Sequence, residues 1–191
     1  KYLKKSKSFK NDNIEIISTG EKSSTAKRIF LIKKKIKSKN FILLNGDAIF
    51  NFNLKKIFKN HVKKRFDITF TGCDTQFDYG IVGTVNNKIV SFERDIMFNS
   101  IKTKNKKNFT GFVYSGISII NSNLLNNKFK NYNNFEKEFY PKIIKKYKCN
   151  FQNIEGFWHS IDNIKNIDSL KKSENKKKYY SIKKILKKIK F

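Results

Sequence analysis

The apolar positions of this chain alternate between two spacings, and the breaks between them outline strands and helices in turn. Ile14-Glu-Ile-Ile17 is a short apolar run closed by Ser18-Thr-Gly20 and predicts a strand. Ser23-Ser24 can cap a helix on which Ile29, Ile32 and Ile36 share one side. Phe41-Ile-Leu-Leu44 is continuously apolar and closed by Asn45-Gly46, which predicts a strand buried on both faces. A helix between two such strands forms a β-α-β unit with parallel strands and a right-handed crossover. From Leu54 to Val62 the pattern returns to amphipathic helical spacing.

Phe66-Asp-Ile-Thr-Phe-Thr71 predicts a further strand. The alternating runs 81–85 and 88–92, joined by Asn86-Asn87, predict a β-hairpin. Residues 95–109 are polar and Lys-rich and read as a mobile loop. Residues 112–120 form a strong strand pattern, in which Gly116 marks close approach by a ligand or another backbone. Ser122 or Asn123 starts a short helical turn. Residues 135–147 predict a helix that Pro141 breaks or restarts. A strand follows over 149–154, then a compact motif over 156–162, then a helix capped by Asp162 or Asn163 and running to about residue 174. Residues 1–12 read as the end of a helix. Residues 180–191 read as a basic amphipathic helix packing on its own domain, with Ile182, Ile185, Leu186 and Ile189 on one face. The whole chain reads as one α/β domain.

Composition changes this picture little. With 38% hydrophobic residues, 19 Phe and 8 Tyr, a 191-residue chain can bury a core. The net charge of +28 suggests a nucleic-acid partner. However, the only arginines are Arg28, Arg65 and Arg94, whereas bidentate phosphate and base recognition favours Arg. The Lys excess accompanies an excess of Asn, Ile and Phe, all with AT-rich codons, so compositional drift accounts for it. The lysines are scattered and the aromatics lie in apolar strands, not interleaved for stacking. No specific nucleic acid is read from them. Cys73 and Cys149 are far apart and read as reduced thiols of a cytoplasmic protein. His61 and His159 are too few for a zinc site, and no apolar run reaches the length of a membrane span.

The candidate chemistry begins at Asp47. Its carboxylate stands where the Phe41 strand ends, and ligands of open α/β sheets bind at the carboxyl ends of strands. Taken together and in order, FILLNGDAIFNFNL, YGIVGTVNNKIVSFER, FVYSGISII, FEKEFYP and GFWHSIDNIKNIDSL resemble the sugar-1-phosphate nucleotidylyltransferase family over most of residues 14–172. The resemblance implies a Rossmann-like three-layer α/β fold with a mixed, mainly parallel sheet. The implied reaction joins a nucleoside triphosphate to a sugar 1-phosphate, giving a nucleotide-sugar for surface polysaccharide synthesis and pyrophosphate. It also implies Mg²⁺ held by Asp47 and Asp162, in keeping with a hard cation that takes one or two carboxylates plus substrate phosphates. Arg94 stands where the family has a sugar-phosphate-binding Lys. Glu93 and Glu136 would bind sugar hydroxyls or hold neighbouring groups. Ser115-Gly116 replaces two glycines against the sugar, where Ser would narrow the pocket. Gly46 and Tyr79-Gly80 belong to segments that line the substrate, and Gly20 to Ala26 matches a loop approaching the base. Trp158 reads as a packing residue that fixes the strand before Asp162.

Wording near Trp158 and Ser18 is similar to glucose-1-phosphate cytidylyltransferases, whereas LNGDAIFNFNL and FEKEFYP are closer to heptose- or mannose-1-phosphate guanylyltransferases. Base and sugar stay open. The family's N-terminal glycine-rich loop, which cradles the triphosphate, is not among these residues, so a truncated chain, inactive alone or weakly sugar-phosphate-binding, is expected. A homo-oligomer is left open. The rival readings are a noncatalytic basic binding module and a degenerate regulatory relative.

Overall fold

The computed structural model describes residues 14–73, 81–93, 101–102, 108–109, 112–126, 131–154 and 157–171. The expectations for residues 1–12, for Tyr79, Gly80 and Arg94, and for the tail over 180–191 lie outside the described residues.

Helix α1 (Thr25–Ile32) starts where expected: Ser24 is its N-cap and accepts from the Lys27 amide. Strand β1 (Asn40–Leu44) and strand β2 (Ala48–Asn51) flank the Asn45-Gly46-Asp47 turn. Helix α2 (Leu54–Lys64) is capped by Asn53 and closes on Arg65 in the left-handed region. Strand β3 (Ile68–Cys73) follows. The hairpin of β4 (Ile81–Val85) and β5 (Lys88–Glu93) turns through Asn86 and Asn87, both at positive φ as a primed turn requires. Within the expected loop over 95–109, β6 (Ile101–Lys102) and β7 (Asn108–Phe109) form a two-residue antiparallel ladder. Strand β8 (Val113–Asn121) is the longest described. Residues Phe135–Phe139 make one wide π-helical turn, and α3 (Tyr140–Ile143) restarts with Pro141 in its first turn, where a missing N–H costs nothing. Strands β9 (Cys149–Asn153) and β10 (Phe157–Ser160) and helix α4 (Ile164–Lys171) complete the described chain.

The main sheet has the order β1-β8-β3-β9. β8 is antiparallel to both β1 and β3, and β3 is parallel to β9, so three of the four strands point one way. The sheet is mixed, with most strands aligned as expected. Odd and even positions of β8 divide its two faces. Ser118 and Ile120 face a core shared with Ala26 and Ile29 of α1, Ile68 of β3, and Phe135, Phe139, Tyr140 and Ile143 of the helical segment. On the opposite face, Ser115 meets Thr71, while Thr69 meets His61 of α2. Helical layers therefore cover both faces of the sheet.

Two sequence expectations are corrected. Residues 14–17 form no strand: Ile14, Ile16 and Ile17 are exposed, and no strand among the described residues pairs with them. Glu15 ties this segment to Lys35 by an exposed ion pair at 2.5 Å, a weak tether. The parallel β-α-β unit built on that strand falls with it. Secondly, β1 is not buried on both faces. Among the described residues it borders β8 on one side only, and Ile42 and Leu44 are exposed while Phe41 and Leu43 pack on the core.

Candidate active site

The site grows from an arm outside the main sheet. β2 pairs antiparallel with β10, with Ala48 opposite Ser160. The ladder continues one step, because the Ile161 amide donates to the Asp47 carbonyl at 2.6 Å. Asp47 is thus paired with the residue preceding Asp162, and two segments far apart in sequence bring their aspartates to the same end of the arm. Both aspartates are exposed. The chain beyond Asp162 is fixed by reciprocal capping: the Asn163 side chain accepts from the Asn166 amide, while Asn166 Oδ1 accepts from the amides of Asp162 and Asn163. Asn163 is therefore the cap, and the carboxylate of Asp162 is not spent on that role.

Trp158 and Gly116 anchor this arm to the sheet. The indole N–H of Trp158 donates to the Ser115 carbonyl at 2.8 Å, tying β10 to β8. The Asn45 amide donates to the Gly116 carbonyl at 2.9 Å, which sets the start of the turn carrying Asp47. Gly116 has φ +73°, and a Cβ there would stand 2.9–3.0 Å from Asn45 side-chain atoms. The expected close approach at Gly116 is therefore made by Asn45. At Gly46, by contrast, a Cβ would meet nothing within 4 Å, because this glycine faces open space.

That space is a cleft of about 520 Å³ at the carboxyl end of β1, with Thr25, Arg28, Gly46, Asp47, Tyr114 and Glu136 among its walls. The wide turn over 135–139 separates the two glutamates of FEKEFYP. Glu138 accepts from the Asn133 amide, whereas Glu136 is exposed on the cleft. Arg28, which the sequence motifs did not single out, is the one cation lining the cleft among the described residues. Its Nε donates to the Ser23 carbonyl at 2.8 Å and Nη2 to the Glu21 carbonyl at 3.2 Å, so the loop ahead of α1 holds the guanidinium. One signal was available: a Lys-dominated chain with three arginines places one of them three residues after Thr25.

The floor is a buried hydroxyl cluster. Tyr140 OH lies 3.1 Å from Ser118 Oγ and 3.2 Å from Tyr114 OH. Burial pushes both phenols above their ordinary range, so both stay neutral. Ser115 does not contribute a side chain to the cleft. It is buried, and its hydroxyl donates to the Thr71 carbonyl at 3.0 Å, on the opposite face of the sheet from Tyr114. The expected narrowing of a sugar pocket by this hydroxyl is corrected accordingly. Glu93 closes β5 opposite Ile81, and its side chain lies outside the described ones.

No group of three or more His, Cys, Asp or Glu that could hold a metal occurs among the described residues. Asp47 and Asp162 are both exposed at the same end of the arm, and carboxylates are the protein ligands a hard cation takes alongside water and substrate oxygens.

A family profile described as "Nucleotidyl transferase" matches residues 1–170. A curated relative, the probable glucose-1-phosphate cytidylyltransferase of Bacillus subtilis (strain 168), is 26% identical over 163 residues, covering 85% of this chain and 60% of that protein. This chain thus spans less than two thirds of that relative. Crystal structures of HddC from Yersinia pseudotuberculosis share the fold. One superposes with a TM-score of 0.56 at 19% identity, covering 85% of this chain and 69% of HddC. A second, complexed with GMP-PN, gives a TM-score of 0.55 over the same shares and identity.

Proposed function

Because the chain belongs to the nucleotidyl transferase family, we infer that it transfers a nucleotidyl group from a nucleoside triphosphate to a sugar 1-phosphate. In that reaction a phosphate oxygen of the sugar attacks the α-phosphorus. The bond to the β-phosphate oxygen breaks, and pyrophosphate leaves with the electron pair. The nucleotide-sugar formed is a donor of the kind that surface polysaccharide synthesis consumes.

The observation that supports this reading is the β2–β10 ladder, which brings the backbone around Asp162 alongside Asp47, a residue of a cleft that also has a guanidinium and a second carboxylate on its walls. Mg²⁺ held by those two aspartates would neutralise charge on the reacting phosphates. Arg28 is placed to donate to oxygens of the nucleotide, its orientation fixed by two carbonyls before the substrate arrives. Glu136, on the cleft wall, would accept from sugar hydroxyls. The net charge of +28 raises the local concentration of polyanionic substrates at low salt. The Bacillus relative makes CTP and glucose 1-phosphate the first pair to test.

The test follows pyrophosphate release by the intact protein from glucose, mannose and heptose 1-phosphates, each with CTP, GTP, UTP and dTTP, with and without Mg²⁺. Release with one base and one sugar, dependent on Mg²⁺ and abolished by Asp47→Asn in a protein that still folds, is expected. No release in any combination from folded protein overturns the catalytic reading and leaves a binding-only relative.

A further inference from the structure

Next to the cleft, and sharing residues with it, lies a second, solvent-open pocket of about 370 Å³ with aromatic walls, among them Phe70, Phe112, Tyr140 and Phe151. Tyr114, Tyr140 and Glu136 line both spaces, so these three side chains form the partition between them. They differ in how firmly they are fixed. Tyr140 is buried, bonded to Ser118, and packed edge-on against Phe70 and Phe135. Removing it would open the core. Glu136 is exposed on the wide turn and can move aside. Tyr114 is half-buried on β8, its ring edge-on to Phe70 at 6.1 Å and to Tyr140 at 5.7 Å, with its hydroxyl held by Tyr140. It packs on the rim of the main core, so shortening it removes less core packing than loss of Tyr140 would.

We propose that Tyr114 determines which sugar 1-phosphates the cleft admits, by standing between it and the aromatic pocket alongside. This rests on the substrate reading above. The cavity suits part of a sugar, since aromatic faces pack against C–H-rich ring surfaces and Glu136 at its mouth accepts from a hydroxyl. With Tyr114 in place, its ring stands between that pocket and a ligand anchored near Asp47. A shorter side chain joins the two spaces and admits a sugar carrying one more carbon.

The experiment measures equilibrium binding of glucose 1-phosphate and of a heptose 1-phosphate to the unmodified protein, Y114F and Y114V, with Y114L as a second shortened variant should Y114V not fold. Circular dichroism and urea midpoints check each fold. Y114F keeps the wall and should keep the unmodified preference. Y114V or Y114L should shift the heptose-to-glucose affinity ratio towards heptose by at least about tenfold, the scale on which pockets discriminate one added carbon. A purely structural role for Tyr114 would weaken both ligands alike and leave the ratio unmoved. An unmoved ratio in a folded shortened variant, or an equal shift in Y114F, overturns the proposal. Failure of the unmodified protein to bind either sugar phosphate overturns the substrate reading beneath it.

Discussion

Gly116→Ala is the sharpest test of how the site is built. The substitution adds one carbon, and its cost has two separable parts. Alanine at φ +73° occupies the left-handed region, which disfavours any residue with a Cβ by about 1–2 kcal/mol. The new Cβ would also stand 2.9 Å from Asn45 Nδ2 and 3.0 Å from Asn45 Cβ and Cγ, closer than carbon atoms tolerate. Forcing an atom into a packed site costs about 1–3 kcal/mol. Together these give a loss of about 2–5 kcal/mol, a large part of the roughly 5–15 kcal/mol by which a domain is stable. Relief of the overlap must come from Asn45, and Asn45 begins the turn that carries Asp47.

Urea unfolding of the unmodified protein, G116A, N45G and the double variant forms a closed cycle. N45G removes the three atoms nearest the new Cβ and leaves the strained φ in place, so the double variant should recover the overlap share and keep the φ share. G46A is the control, because its Cβ would enter open space, and its unfolding midpoint should stay near that of the unmodified protein. Substrate binding should fall in G116A. It should also fall in G46A, which is stable but places a methyl on the cleft wall. A G116A protein within about 0.5 kcal/mol of the unmodified one would refute the argument. So would a cycle with no coupling to Asn45.

Three further outcomes follow from buried polar groups. His61 is fully buried between Thr69 Oγ1 at 2.9 Å and Asn40 Oδ1 at 3.2 Å, and burial lowers its pKa against a smaller opposing pull from Asp67. The folded state therefore resists protonation. The stability this contributes is complete above the unfolded value near 6.5 and is lost as pH falls from there towards the depressed folded value. Urea midpoints should drop between pH 7.5 and 5.5, and H61Q should flatten that slope; an unchanged slope in H61Q would contradict it. Ser115→Ala removes a buried hydroxyl bonded to Thr71 and should cost about 1–2 kcal/mol in unfolding while leaving sugar preference unchanged. A changed preference would mean that the hydroxyl does reach the cleft. Trp158→Phe keeps the ring but orphans the Ser115 carbonyl, and should cost about 1–3 kcal/mol and weaken Mg²⁺-dependent turnover as the Asp162 end of the arm loosens. Full turnover would show that this tie does not position Asp162.

The sequence was most legible where local chemistry decides the outcome. Ser24 and Asn53 cap their helices, Asn86-Asn87 takes the positive φ values of a hairpin turn, and Pro141 opens a new helical piece. It misled where the deciding partner lies elsewhere. Ile14-Glu-Ile-Ile17 has the same apolar run as a true strand but no neighbour to pair with among the described residues. Phe41-Ile-Leu-Leu44 looked doubly buried because continuous apolarity cannot tell a central strand from an edge one. β2 escaped notice because four residues give no readable period and its partner, β10, lies far downstream. Ser115 and Gly116 stand side by side in the sequence, yet alternation sends the serine hydroxyl to the face away from the cleft.

The site depends on elements that the main sheet does not contain. Its four strands supply a floor and two faces, but Asp47 and Asp162 stand on an arm of two four-residue strands, too short to be stable alone. Three hydrogen bonds compensate. Asn45 to Gly116 fixes the arm where it leaves β1, Trp158 to Ser115 pins its far strand to the same point on β8, and Ile161 to Asp47 extends the ladder to the aspartates themselves. Two of these end on adjacent carbonyls, of Ser115 and Gly116, so the arm pivots on one dipeptide. That explains why a segment with no sugar-facing hydroxyl still belongs to the site's machinery. Its backbone holds the metal-binding candidates in register, while its glycine leaves room for the turn that presents one of them.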